Sequence, residues 1–365
     1  LALCEGLLRL FWCGPARETY EYQSAPFLTD NPYWGIWHFA NHSVEHRKSC
    51  FAARYRTNEF GMKSDPVGAG KPRIALLGDS FVEGFGNDNE TTIDRYMRDL
   101  LEHRYEVLNF GVSGKFSTID ELVLYDGFAR FFEPRIAVLF FLNYNDLRDN
   151  LLPAKRRYID ERSNLLYPRP ERFEAVVEAI RREAPPQSAA AEAERRFCLS
   201  RLLRAAERVL NDQLQMRFDI LWDIHAELAA PYLAEDDPEL TRAWAIIDAS
   251  LGRLAEITAR QGTALVVAHV ADPYQIDKNW LRLLSAWVGK PLDPELPNRR
   301  LREICERRGI RYYDMLEETM AYIAERALHF PYLSFRCDRH YAPEGQRVMA
   351  TLAVDYLRRE GLVGP

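Results

Sequence analysis

Five residues of this chain carry types and positions that suit one chemistry: Ser80, Gly114, Asn145, Asp338 and His340. Ser80 ends "RIALLGDS" (73–80), where an apolar run gives way to a small polar pair. A serine hydroxyl is a weak nucleophile and needs a base to take its proton. An attacked carbonyl also needs donors aimed at the oxyanion that forms. His340, in "FRCDRHYAPEG" (335–345), offers the base. Asp338 precedes it by two residues, so in an extended or turning loop both side chains can face one way. The carboxylate would then hold the ring in the tautomer that accepts the serine proton. The Ser80 amide, the Gly114 amide and the Asn145 side-chain amide offer three oxyanion donors. Glycine suits the second role because its backbone can approach a substrate closely.

These residues need a scaffold, and the pattern around them supplies one. "RIALLG", "YEVLNFG" and "RIAVLFFL" are apolar runs of strand length. Between them, "TTIDRYMRDLLEH" and "STIDELVLYDGFARFF" have apolar residues at helical spacing. Ser117 and Asp120 make a capping box at the start of the second helix. Late in the chain "TALVVAHV" and "IRYYDM" read as strands. "TRAWAIIDASLGRLAEITARQG", "NRRLREICERRG" and "PEGQRVMATLAVDYLRRE" read as helices, the last with Pro343 in its first turn. Alternating strands and helices predict a parallel sheet covered on both faces. The expected fold is α/β: a flavodoxin-like three-layer α/β/α arrangement with five parallel strands in the order 2-1-3-4-5. In such a sheet ligands bind outside the carboxyl ends of the strands. The first three strands end at Gly78-Asp79-Ser80, "NFGVSG" and "LNYND", which brings Ser80, Gly114 and Asn145 to one rim.

The catalytic domain is expected over 71–150 and 240–365. Residues 151–239 interrupt the alternation with prolines and with "AAAEAERRFCLSRLLRAAERVL", a segment of helical periodicity. They read as a helical insertion, either lying on the surface or capping the active site. Residues 1–70 are rich in aromatics and poor in period, and are expected as an irregular segment packed on the core. "LALCEGLLRLFW" is shorter than the roughly 20 residues of a membrane span. It reads as the stub of a signal or anchor helix or as an amphipathic helix on the domain. Cys4 would suit lipoprotein processing, but Leu3 stands where that requires a small residue.

The 365 residues are 47% hydrophobic and 28% charged with net charge -6, a composition able to bury a sizeable core. That mild acidity, with the basic residues scattered, gives no support for a nucleic-acid partner. Six cysteines, at 4, 13, 50, 198, 305 and 337, include no Cys-x-x-Cys pair; disulfides are permitted and none is implied. His38, His42 and His46 would share a face only on a helix, and their surroundings lack a helical period, so no metal site is expected. "VGAGKP" (67–72) lacks the first glycine and the final Ser/Thr of a phosphate loop. No cofactor is expected. Ser113 is a rival nucleophile without a supporting motif, and Asp146 is expected to brace the loop after the third strand.

The combination resembles the SGNH (GDSL-type) superfamily of serine esterases. The likeness rests on "GDS" (78–80), "NFGVSG" (109–114), "NYND" (143–146) and "DRHYAPEG" (338–345), in the family's order, with "RYRTNEFGMKSD" (54–65) also similar to bacterial members. It covers 71–150 and about 261–358. It implies a carboxylic ester hydrolase in which Ser80 is the nucleophile, His340 the base and Asp338 its orienting partner. Gly114 and Asn145 would join the Ser80 amide in the oxyanion hole. The expected partner is a small-molecule or carbohydrate ester, with no metal. Asn143 stands where the third block usually has glycine. Asp-x-His replaces the commoner Asp-x-x-His, a spacing found in related polysaccharide O-acetyl-transfer enzymes. Two other functions therefore accompany the esterase: an O-acyltransferase acting on a polysaccharide hydroxyl, and a catalytically silent binding domain. Relatives often carry an N-terminal membrane segment or export signal, which leans the expectation toward an extracytoplasmic site with N-terminal membrane association.

Overall fold

The computed structural model describes residues 19–20, 27–48, 50–160, 164–181, 202, 206, 226–234 and 237–364. Its N-terminal part differs from expectation. After β1 (Thr19–Tyr20), residues 27–56 form two antiparallel hairpins rather than an irregular segment. β2 (Leu28–Asn31) pairs with β3 (Gly35–His38), and β4 (Ser43–Arg47) with β5 (Ala52–Arg56); β1 runs parallel to β4. The four hairpin strands are four or five residues long, too short for a period of two to stand out in the sequence. Val44, His46, Ala53 and Tyr55 turn inward between more exposed neighbours.

The apolar runs form the central sheet. β6 (Arg73–Gly78), β7 (Glu106–Gly111), β8 (Ile136–Phe141), β9 (Ala264–His269) and β10 (Arg311–Asp314) lie side by side as β7-β6-β8-β9-β10. All four pairings are parallel. In strand sequence this is the expected order 2-1-3-4-5. Two short strands, β11 (Ser334–Phe335) and β12 (Asp338–Tyr341), pair antiparallel outside the sheet.

Eleven α-helices with bounds among the described residues accompany the strands. α1 (Ser80–Glu83), α2 (Ile93–Leu100), α3 (Thr118–Gly127) and α4 (Asn143–Asp149) follow the first three sheet strands. α5 (Phe173–Ile180) lies in the insertion, α6 (Pro238–Gln261) precedes β9, and α7 (Pro273–Ile276) with α8 (Lys278–Val288) follows it. α9 (Leu296–Arg308), α10 (Leu316–Glu325) and α11 (Pro343–Arg359) complete the set. The sequence "AAAEAERRFCLSRLLRAAERVL" falls outside the described residues except for Leu202 and Ala206.

Every residue of β7 and β8 is buried, as a strand covered on both faces requires. Alternate side chains feed two cores. Leu77, Phe110, Leu139 and Val267 pack with α3, α6 and α9, joined by Trp34 and Trp37 of the first hairpin region. Leu76, Val107, Val138 and Val266 pack with α2, α10 and α11 on the opposite face. The Asp120 carboxylate accepts from the Ser117 amide and hydroxyl at 2.9 and 2.8 Å, which anchors the start of α3.

Among the described residues, no helix is long and apolar enough to cross a membrane.

Candidate functional site

Ser80 opens α1 immediately beyond the end of β6. Asp79 caps this short helix by accepting from the Phe81 amide at 2.8 Å, and Gly84 ends it in the left-handed conformation. The turn is tight because β7 runs close beneath it. A Cβ on Gly111 would lie 2.1 Å from the Glu83 nitrogen, so glycine there is a packing requirement. Gly114 follows at φ +100°, a conformation that L side chains rarely adopt.

His340 and Asp338 sit on β12 rather than in an open loop. A strand sends alternate side chains to one side, so both face the same way. The Tyr341 backbone oxygen accepts from Asn87 at 2.8 Å, and the Tyr341 hydroxyl donates to the Ala271 oxygen at 2.6 Å. These bonds hold β12 beside α1. His340 Nε2 lies 2.7 Å from Ser80 Oγ, and its Nδ1 lies 2.5 Å from Asp338 Oδ1. The Phe85 ring stacks on the imidazole with centroids 4.2 Å apart.

Ser80, Gly114, Asn145 and His340 line one cleft of about 200 Å³, with Asp79, Lys115, Tyr144, Arg148, Asp149 and Leu152. Asp338 lies behind the imidazole, away from the cleft lining. Asn145 is on the first turn of α4 and donates its side-chain amide to Asp79 Oδ2 at 2.5 Å. Asn143, the departure from the family pattern, is buried and serves as an anchor: its Oδ1 lies 2.6 Å from His269 Nε2 at the end of β9. Asp146 accepts from the Thr118 hydroxyl at 2.6 Å and the Leu142 amide at 2.8 Å, bracing the turn out of β8. Ser113 lies outside the cleft lining, and its amide donates to Glu83 Oε2 at 2.5 Å.

Electrostatics divide the site into a buried acidic floor and a cationic rim. Burial pushes Asp79 upward, against its hydrogen bonds from Phe81 and Asn145. Burial also lifts Asp149 to about 7. Glu121 and Asp146, both fully buried, are raised by burial and by neighbouring carboxyl groups. Asp338 behaves oppositely. Burial disfavours its charge, but His340 and then Lys48 outweigh that cost and hold the carboxyl well below its ordinary range.

Several residues around the site carried no signal in the sequence. Lys48 Nζ lies 2.5 Å from Asp338 Oδ2, and Cys50 forms a disulfide with Cys337. An even cysteine count permitted a disulfide, but nothing local could name its partners. At the end of α1, Glu83 meets His38 Nε2 at 3.2 Å. Lys63 is buried and donates to the backbone oxygens of Gly84 and Asn87 at 2.7 and 2.8 Å. His38 ends β3, His42 lies in the turn after it and His46 is in β4, so the three share no helical face. His38 Nδ1 lies 2.9 Å from the Gly61 oxygen and His46 Nδ1 lies 2.7 Å from the Tyr55 hydroxyl. Among the described residues, no group of three or more His, Cys, Asp or Glu could hold a metal ion.

No family model matches the chain, and no curated protein does either. Solved structures do resemble it. A lipase/acylhydrolase from Enterococcus faecalis is 12% identical, with TM-score 0.41, over 80% of this chain and 98% of that one. A catalytic mutant of an acetylxylan esterase from Geobacillus stearothermophilus is 12% identical, with TM-score 0.39, over 82% and 99%. A protein from Desulfitobacterium hafniense described as lipolytic, of the G-D-S-L family, is 9% identical, with TM-score 0.38, over 78% and 99%.

Proposed function

We propose that this chain is a serine ester hydrolase of the SGNH (GDSL-type) kind that works through an acyl-Ser80 intermediate. The observation that carries this reading is the hydrogen-bonded line from Ser80 Oγ through His340 to Asp338, at 2.7 and 2.5 Å. In the reaction, His340 Nε2 takes the Ser80 hydroxyl proton as Oγ attacks the ester carbonyl carbon. The Ser80 and Gly114 amides and the Asn145 side chain donate to the oxyanion. His340 then returns the proton to the departing alcohol oxygen, leaving the acyl group on Ser80. Water attacks the acyl-serine, His340 takes its proton, and the intermediate collapses to free acid and regenerated serine. Asp338 stays ionised and holds the ring orientation.

The cleft supports a small acyl group. Its volume of about 200 Å³ lies below the roughly 300 Å³ at which sites for drug-sized ligands begin. Lys115, Tyr144 and Arg148 give its rim polar and cationic character, which suits an alcohol portion rich in hydroxyl groups, such as a sugar. The reading therefore favours short acyl esters of polar alcohols.

A chain-length series of nitrophenyl esters tests it. Turnover should be highest with acetate and fall with longer acyl chains. Ser80→Ala and His340→Ala should each abolish it. A fluorophosphonate probe should label the wild type at Ser80 and leave Ser80→Ala unlabelled; equal labelling of both would remove the nucleophile assignment. Adding a saccharide acceptor and finding acylated sugar in place of free acid would move the assignment to acyl transfer.

A further inference from the structure

The turn between β4 and β5 lies outside the α/β core, yet it meets the strand that carries His340 and Asp338. Lys48 closes this turn, its amide donating to the Phe51 oxygen at 3.0 Å. Its ammonium lies 2.5 Å from Asp338 Oδ2, while Oδ1 of the same carboxylate faces His340 Nδ1 at 2.5 Å. Oδ1 thus serves His340, through its ring and through its backbone amide at 3.0 Å, and Oδ2 serves the ammonium. The Asp338 side chain is only 9% exposed, so solvent offers little alternative to Lys48. Two further contacts fix the same juncture. The Cys50–Cys337 disulfide spans 287 residues of chain, and the Phe51 and Phe335 rings lie with centroids 4.7 Å apart.

We propose that Lys48 is a positioning residue for catalysis, holding the Asp338 carboxylate in the orientation that His340 requires, with the Cys50–Cys337 disulfide keeping the β4–β5 turn in reach. This rests on the esterase reading above. Without Lys48 the carboxylate would be held through Oδ1 alone, by the imidazole and by the His340 backbone amide at 3.0 Å, and could tilt about its side-chain torsions and weaken the contact with Nδ1. An ammonium on the other oxygen restricts that tilt and adds a countercharge to a buried carboxylate. The β4–β5 hairpin therefore does more than cover the core: it completes the catalytic strand from outside the fold that carries the nucleophile.

The experiment is a double-mutant cycle on the full chain, with Lys48→Met, Asp338→Asn and the pair, read by nitrophenyl acetate kinetics and by the rate of fluorophosphonate labelling of Ser80. Lys48→Met should lower kcat and the labelling rate by roughly 10- to 100-fold, the range for losing one hydrogen bond to a charged group. KM should stay within about twofold, since substrate contacts are untouched. In the Asp338→Asn background the same change should cost almost nothing, because the group through which Lys48 acts is already altered. Lys48→Arg, which keeps the charge and a donor, should recover most of the rate, and remains informative if Lys48→Met fails to fold. Unchanged kcat in Lys48→Met overturns the inference, as does an equal loss in both backgrounds, or a Lys48→Arg variant that folds and is no faster than Lys48→Met. Ser80→Ala separates the two levels. If it retains turnover and labelling, the esterase reading fails. If it is inactive while Lys48→Met is unaffected, only the role of Lys48 fails.

Discussion

Asn145 donates its side-chain amide to the Asp79 carboxylate across 2.5 Å, so the proposed oxyanion donor rests on a buried acid one residue before Ser80. The pairing pre-orients the amide at the cleft, and the oxyanion forming on the attacked carbonyl oxygen would draw it forward. Replacing Asn145 by alanine should lower kcat by roughly 10²- to 10³-fold, as loss of one such donor does elsewhere. KM should change far less, because the bond matters most in the transition state. Steady-state kinetics on nitrophenyl acetate check this; a loss confined to KM would contradict the assignment.

Glu83 closes the short helix that Ser80 opens, hydrogen-bonded to His38 and the Ser113 amide, with the Lys63 charge nearby. Burial disfavours its charge, but the His38 hydrogen bond and charge and the nearby Lys63 prevail, holding the carboxyl at about 2 against an ordinary 4.5. A group whose folded value lies below its unfolded one adds stability that is complete above 4.5 and is lost as pH falls through about 2. The shift corresponds to a contribution on the order of 3 kcal/mol. Urea unfolding at about pH 6 should therefore separate wild type from Glu83→Gln, and the gap should narrow at about pH 3. A gap independent of pH would contradict this.

The Cys50–Cys337 disulfide closes a loop spanning 287 residues, so its removal should free much unfolded-state entropy. The paired change Cys50→Ser with Cys337→Ser should lower unfolding stability by about 2–5 kcal/mol. It should also slow turnover, because the turn carrying Lys48 is then less firmly held against Asp338. Denaturant titration and nitrophenyl acetate kinetics on the same preparation measure both effects.

Gly111 offers a test of the turn itself. Alanine there would drive a methyl group to 2.1 Å from the Glu83 nitrogen, and backbone must move to relieve it. Gly111→Ala should cost at least about 1–3 kcal/mol. Because the displaced segment is the helix that Ser80 opens, fluorophosphonate labelling should slow in molecules that remain folded. A variant as stable and reactive as wild type would show that the strand and the turn are less tightly opposed.

Much of the architecture was legible before any coordinates. The runs ending at Gly78, Gly111 and Phe141 could hardly be anything but strands buried on both faces. The order β7-β6-β8-β9-β10 then follows the winding expected of alternating strands and helices. The hairpins at 27–56 were not legible, since His46 and Tyr55 point inward from strands too short to display a pattern. Lys48 looks like any surface lysine in sequence, and Cys50 like any of six cysteines. Asn143 reads only as a departure from a motif until His269, on a distant strand, is seen to hold it.

By itself the sequence determined the layers, the five strands, and Ser80, Gly114, Asn145, Asp338 and His340 as candidates, because burial period and strand-end composition are local properties. Only the tertiary structure decided that Ser80 and His340 come within 2.7 Å, that Lys48 takes the second oxygen of Asp338, and that Cys50 and Cys337 pair. The physical reason is the distance along the chain: 260 to 290 residues separate these partners. Their meeting depends on where the folded backbone returns, which no neighbouring residue encodes.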